Sequence, residues 1–269
     1  MPSPGQLALL SVAVAFLVAG GAVSLLHRDA DTTTKWRILR WCSAGGIVSA
    51  LGVVLWHSVA GRHWQPATDN FEALIWLGIL LSAFVLYVQS IKPIVGLDWF
   101  LMPAVVGLLI AAGIVARLDY TTYHPIFYST YLWVHRITSY SGTAAFVVAA
   151  ASGAVYVLSA ARLRKKKSFP MSGSLERLEH IMMTAVTLGF ALLTIGLVTG
   201  LEVMLKRLGT PPWAKVYFAS ATWLLYAVVM HAPINPRFRG RRAALLSVMG
   251  IVLVVGTLVA AQFVPGGGR

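Results

Sequence analysis

Apolar residues run along this chain in eight long blocks, separated by short stretches in which charge, proline or glycine concentrates. The blocks fall at about Gln6–Leu26, Trp36–Trp56, Phe71–Ile91, Trp99–Ala116, Tyr131–Ala160, Ile181–Leu205, Val216–Met230 and Ala243–Phe263. A membrane-crossing helix needs roughly 20 apolar residues. The pattern therefore predicts an all-α integral membrane protein, an eight-transmembrane-helix bundle, with residues 1–269 forming one polytopic membrane domain. The fifth block is longer than a bilayer requires, so its helix is expected to project beyond the membrane or to tilt. The seventh is short, which suggests packing against neighbours. The first lacks a basic leading segment and runs into a charged loop, so it is expected to be retained rather than cleaved.

Composition narrows the class. The chain is 58% hydrophobic and 12% charged, whereas a soluble domain carries about a quarter charged residues. A water-soluble globule cannot enclose that much apolar side chain. The loops are too short for an attached ATPase or kinase, and no GxxxxGK[ST] phosphate loop occurs. The single cysteine, Cys42, excludes an intramolecular disulfide, a CxxC redox pair and a CxxCH attachment site for covalent haem. The net charge of +13 has no basic domain through which to hold nucleic acid. Basic loops lying against anionic lipid headgroups explain it better. Fifteen of the 22 Lys and Arg residues follow the first, third, fifth and seventh blocks, including Arg28, Lys35, Arg37, Arg40, Lys92, the run Arg162–Lys167 and Arg237 to Arg242. This bias predicts that both termini lie on the outer side.

Polar groups in or beside membrane helices are costly and mark candidate chemistry. His57, His63, His124 and His135 fall on the outward half, and His27, His180 and His231 on the cytoplasmic half. Imidazole is a common haem-iron ligand, and a bis-His site needs two at similar depth. His57 closes the second block and His135 opens the fifth, so their depths suit a shared ligand. An interfacial histidine also bonds to headgroups or backbone, and His231, ahead of Pro233, suits a helix-terminus role. Pro66 stops the second helix. Asp69 or Asn70 caps the third, which places Glu72 in its first turn where the dipole favours an anion. Arg62, His63 and Trp64 stand upstream of Glu72, a combination suited to a flat, anionic, partly apolar ligand. Trp56, Trp64, Trp133 and Trp213 gather on the outward half, where an aromatic belt is also expected. Gly196 and Gly200 form a GxxxG, permitting close helix contact within the bundle or in a dimer. No HExxH spacing or nucleophile–base pair supports enzyme activity.

Several segments resemble the cytochrome c assembly family of CcsA and HemX type. Pro66-Ala-Thr-Asp69-Asn70-Phe71-Glu72-Ala73-Leu74 resembles the family's P-x-S-N-x-Y-E-S/A-L segment, and Trp133-Val-His135 its outward histidine helix. The stretch from Ser174 to Glu179, followed by Gly189 to Gly200, is similar to the segment before the family's tryptophan-rich region. Trp223 to His231, then Arg239 to Ala244, resembles the helix and basic turn after it. These matches cover about residues 55–255, in order. The W-x-W-D-P-K-E-type motif is replaced by Pro211-Pro212-Trp213-Ala214-Lys215-Val216-Tyr217-Phe218, without the acidic pair. The family's second outward histidine has no counterpart in these 269 residues.

The resemblance implies haem handling at the outer face of the bacterial cytoplasmic membrane, nearer the short HemX-like accessory branch. It makes His135 the outward haem-side histidine and His231 the histidine within the membrane helix. The expected cofactor is non-covalent b-type haem, with His135, His57 and His231 as candidate iron ligands. Trp213 and Trp223 would form walls, Arg62 or Lys215 would pair with propionates, and Glu72 would lie beside the site. Haem, lipids and other cytochrome c assembly or haem-synthesis proteins are the expected partners. Three alternatives stay open: a regulator of haem biosynthesis that acts through a partner without binding haem, a small-molecule transporter, and a b-type electron-transfer protein with histidine pairs in both leaflets.

Overall fold

The computed structural model describes residues 2–26, 33–61, 67, 69–91, 93–117, 130–165, 174–207, 213–231 and 240–263. Eight α-helices account for nearly all of them: α1 (Pro4–Leu26), α2 (Thr33–Ala60), α3 (Asn70–Ile91), α4 (Asp98–Arg117), α5 (Thr130–Arg164), α6 (Leu175–Arg207), α7 (Trp213–Met230) and α8 (Arg241–Phe263). Each is long and apolar enough to cross a membrane, and no strand occurs among the described residues. Backbone amides and carbonyls in hydrocarbon must be satisfied internally, which is why apolar blocks of this length become helices.

The helices extend past the apolar blocks mainly where polar residues cap them. α6 starts at Leu175, six residues ahead of the hydrophobic run. Ser174 accepts the Arg177 amide at 3.1 Å through its hydroxyl, and Glu176 occupies the first turn. Caps and dipole complementarity of this kind carry no hydropathy signal. α2 starts at Thr33, so Lys35, Arg37 and Arg40 lie on its first two turns rather than in a loop. The fifth helix is the longest at 35 residues and the seventh the shortest at 18.

The chain divides into two compact units, one holding α1–α4 and the other α5–α8. In the first, α1 packs on α2 and α4, and α3 packs on α2 and α4, closing a ring of four. In the second, α5 lies against α6 and α8, and α7 against α6 and α8. The α5–α6 seam is built on small residues. A side chain at Gly142 would meet the Gly189 carbonyl oxygen at 3.2 Å, and one at Gly189 would meet the Phe146 ring at 2.7 Å. Phe146 in turn stacks on the buried Tyr226 of α7, with ring centroids 3.8 Å apart.

Candidate functional site

Two histidines, one in each unit, sit at helix ends with defined partners. In the first unit, His57 lies in the last turn of α2. Its Nε2 meets Asp69 Oδ2 at 3.0 Å. The other carboxylate oxygen, Oδ1, accepts the Glu72 amide at 2.8 Å, so Asp69 is the N-cap of α3. One side chain thus starts a helix and orients an imidazole. The Phe71 ring meets the His57 ring edge-on at 5.3 Å between centroids. Glu72 is wholly buried and accepts from the Ser58 hydroxyl at 3.2 Å. Arg62, His63 and Trp64 lie outside the described residues, as do His27 and His124.

In the second unit, His135 sits one turn into α5. Its Nδ1 lies 2.7 Å from the Gly196 carbonyl oxygen on α6. A carbonyl only accepts, so Nδ1 carries the proton and Nε2 keeps its lone pair. Nε2 has no hydrogen-bond partner among the described residues. The Ser139 hydroxyl, one turn along α5, stands 3.4 Å from the same Nδ1. Gly200 makes room for the ring, because a Cβ there would lie 2.7 Å from His135 Cε1. A Cβ on Gly196 would lie 2.6 Å from the Ser139 hydroxyl. The GxxxG of α6 is therefore the seat of the imidazole and serves packing inside the unit.

Charge surrounds this ring unevenly. Lys215, in the first turn of α7, and Arg136 both act electrostatically on His135, and on each other. Lys215 has no carboxylate within ion-pair distance among the described residues. Trp213 is exposed and stacks with Tyr217, their centroids 6.1 Å apart. Trp223 donates its indole N–H to Thr194 at 2.9 Å and tilts against Phe190 at 5.2 Å, tying α7 to α6.

His231 lies elsewhere. It follows the last residue of α7, and its Nδ1 meets the Ala227 carbonyl oxygen of its own helix at 2.7 Å. That is the bond of a helix-terminus group. The rise from Lys215 to His231 is roughly 24 Å at about 1.5 Å per residue, so His231 and His135 belong to opposite ends of the unit. The described residues hold no cluster of three or more His, Cys, Asp or Glu suited to a metal ion. In the sequence Asp69 reads only as a cap, Arg136 only as a charge near the start of the fifth block, and Ser139 does not stand out. The signal for Ser139 was present, since His135 and Ser139 share the four-residue spacing of Gly196 and Gly200.

Residues 50–262 match the family described as Cytochrome C assembly protein. The chain is similar to the cytochrome c biogenesis protein CcsA of Prochlorococcus marinus (strain MIT 9312), 34% identical over 91 residues, 33% of this chain and 29% of that one. It is also similar to CcsA of Trichormus variabilis, 38% identical over 82 residues, 29% of this chain and 23% of the relative. The matched stretch thus spans less than a third of either relative. Among solved structures, the cytochrome c heme lyase CcmF shares the fold with a TM-score of 0.65 at 15% identity, over 94% of this chain and 46% of that chain.

Proposed function

The chain belongs to the cytochrome c assembly protein family, and from that premise we propose that it holds haem for cytochrome c maturation, with His135 Nε2 as the iron ligand. The observation that carries this reading is the bond from His135 Nδ1 to the Gly196 carbonyl. It fixes the tautomer and leaves Nε2 as the donor atom, the arrangement in which metal-bound histidines are held. Lys215 and Arg136 supply positive charge near the ring, suited to the two carboxylates of a porphyrin. Haem is cargo in this reading: the chain binds it, orients it and passes it on.

The other candidates take narrower roles. His57 Nε2 is committed to Asp69, so iron at that atom would have to replace the Asp69 bond. Arg62 remains a candidate for a propionate by its place in the sequence. Trp223 braces the α6 segment that carries Gly196, and Trp213 offers an exposed ring at the same end of α7 as Lys215. Glu72 lines the His57 end of α3, and His231 is the candidate for a separate site at the other end of its unit. The excess of Lys and Arg in alternate loops supports placing the His135 end on the outer side of a bacterial cytoplasmic membrane.

The test is a spectrum. The protein is purified from membranes with an adequate haem supply, and its Soret absorption is compared with His135→Ala and His57→Ala. A Soret band lost in His135→Ala, with the fold retained, supports the reading. A parent protein without haem under the same conditions overturns it and favours a regulator acting through a partner, the alternative to which the missing acidic pair around Trp213 points. Lys215→Gln is expected to lower haem retention about three- to tenfold, the loss of one charge-assisted contact of about 1 kcal/mol, and Lys215→Arg to restore it. A bond-making role would show as covalent haem on added apocytochrome with this protein alone, and would replace the holding role by a catalytic one.

A further inference from the structure

At the end of the first unit away from His57, a second polar cluster brings all four helices together. Ser24 closes α1, Lys35 opens α2, Gln89 closes α3 and Asp98 opens α4, and none is more than 5% exposed. The Ser24 hydroxyl donates to Asp98 Oδ2, joining α1 to α4. The Ser43 hydroxyl donates to Gln89 Oε1 at 3.3 Å, joining α2 to α3. Lys35 lies 5.2 Å over the Trp36 ring and within electrostatic reach of Asp98. Gln89 Nε2 has no partner among the described residues. Turning the amide over changes only which atom is left, because one end meets Ser43 and the other remains.

Gln89 and Asp98 both line a small cleft whose other walls include Trp36, Val85, Leu97 and Leu101. It has room for about one water molecule. A cation beside Asp98 would compete with Lys35, which already acts electrostatically on that carboxylate, an anion would face Asp98 itself, and an apolar group would leave the amide unsatisfied. Water is neutral, fits, and both accepts and donates. We infer that the cleft binds one water molecule, which accepts from the Gln89 amide and donates to the Asp98 carboxylate. The water then completes a belt from Ser24 on α1 through Asp98 on α4 and Gln89 on α3 to Ser43 on α2. Two separate pairwise links become one hydrogen-bonded network, and a carboxylate only 5% exposed gains a solvating partner.

A map of the whole protein in lipid nanodiscs, at a resolution that shows ordered water, tests the site. A single peak within about 3.2 Å of both the Gln89 amide and the Asp98 carboxylate, lost in Gln89→Met, is the expected result. No peak in the wild-type map, with water visible at other polar sites, overturns the inference, and so does a peak that persists in Gln89→Met. The wild-type map decides alone if that variant does not fold. Thermal unfolding supplies a second reading. Ser43→Ala and Ser24→Ala share no direct contact, so additive shifts mean independent links and count against the belt. A double variant that loses clearly less than the sum of the two supports it.

Discussion

The two units hold their histidines by opposite means. His57 is held by a side chain: a carboxylate takes its Nε2, and a second, buried carboxylate stands one turn along α3. His135 is held by main chain: a carbonyl takes its Nδ1, glycines make the space, and the nearby charges are cationic. The first arrangement engages Nε2 and sets carboxylates beside it, which would disfavour an anionic ligand. The second leaves Nε2 open beside cationic side chains, which would favour one. A histidine at the edge of a membrane helix is thus defined by what holds its ring, and depth in the membrane, which the two were expected to share, says much less.

The largest effect separates the two directly. His135→Ala is expected to abolish haem absorption while leaving an intact membrane-inserted fold. His57→Ala is expected to keep the parent's absorption and to lower unfolding temperature, because it strips Asp69 of a partner. Equal loss of absorption in both variants would break the contrast.

Next comes the glycine seat. Gly200→Ala places a methyl group 2.7 Å from His135 Cε1 and 2.8 Å from Nδ1, so either the ring or the helix must shift. Overpacking of this kind costs about 1–3 kcal/mol, and the displaced ring should lose most of its haem. A Gly200→Ala protein with full absorption and unchanged unfolding temperature would show that the seat is looser than the distances imply.

Legibility in the sequence divides along the same line. Eight helices were readable because a bilayer imposes length and apolarity on every span, and each apolar block lies within one helix. The ends were less readable: α6 begins through the Ser174 cap and α2 with a polar first turn from Thr33, neither of which hydropathy registers. Asp69 was readable as a cap because the N-cap preference is local. Its bond to His57 was not, because it depends on how two helices converge across a loop. Lys35 counted as a loop charge, yet it is buried in α2, since its partners on other helices are invisible along the chain. Gly196 and Gly200 were visible as a close-contact motif; that the contact is with an imidazole emerged only from the pairing of α6 with α5.

A smaller effect sharpens the first unit's side of the contrast. Asp69→Ala removes both the cap on α3 and the His57 partner, and is expected to cost about 2 kcal/mol. Asp69→Asn retains a capping oxygen and should recover part of that loss. Unfolding in denaturing detergent reads both. If Asn recovers nothing, the negative charge opposite His57 matters more than the cap, and the acidic character of this end is its main stabilising feature.

The smallest expected effect has the opposite sign. Glycine is unfavourable inside a helix by about 1 kcal/mol relative to alanine, so a helical glycine persists either because its space is filled or by chance. A Cβ added at Gly107 of α4 meets nothing within 4 Å, in contrast to the crowded Gly200. Gly107→Ala is therefore expected to leave haem absorption unchanged and to stabilise the protein by up to about 1 kcal/mol, seen as a small rise in unfolding temperature. Gly107→Ala and Gly200→Ala make the same chemical change in two helices, and a difference in sign isolates what the imidazole requires of α6. If both variants destabilise to the same extent, helix flexibility rather than room for a ring explains the glycines, and the main-chain seat of His135 loses its special meaning.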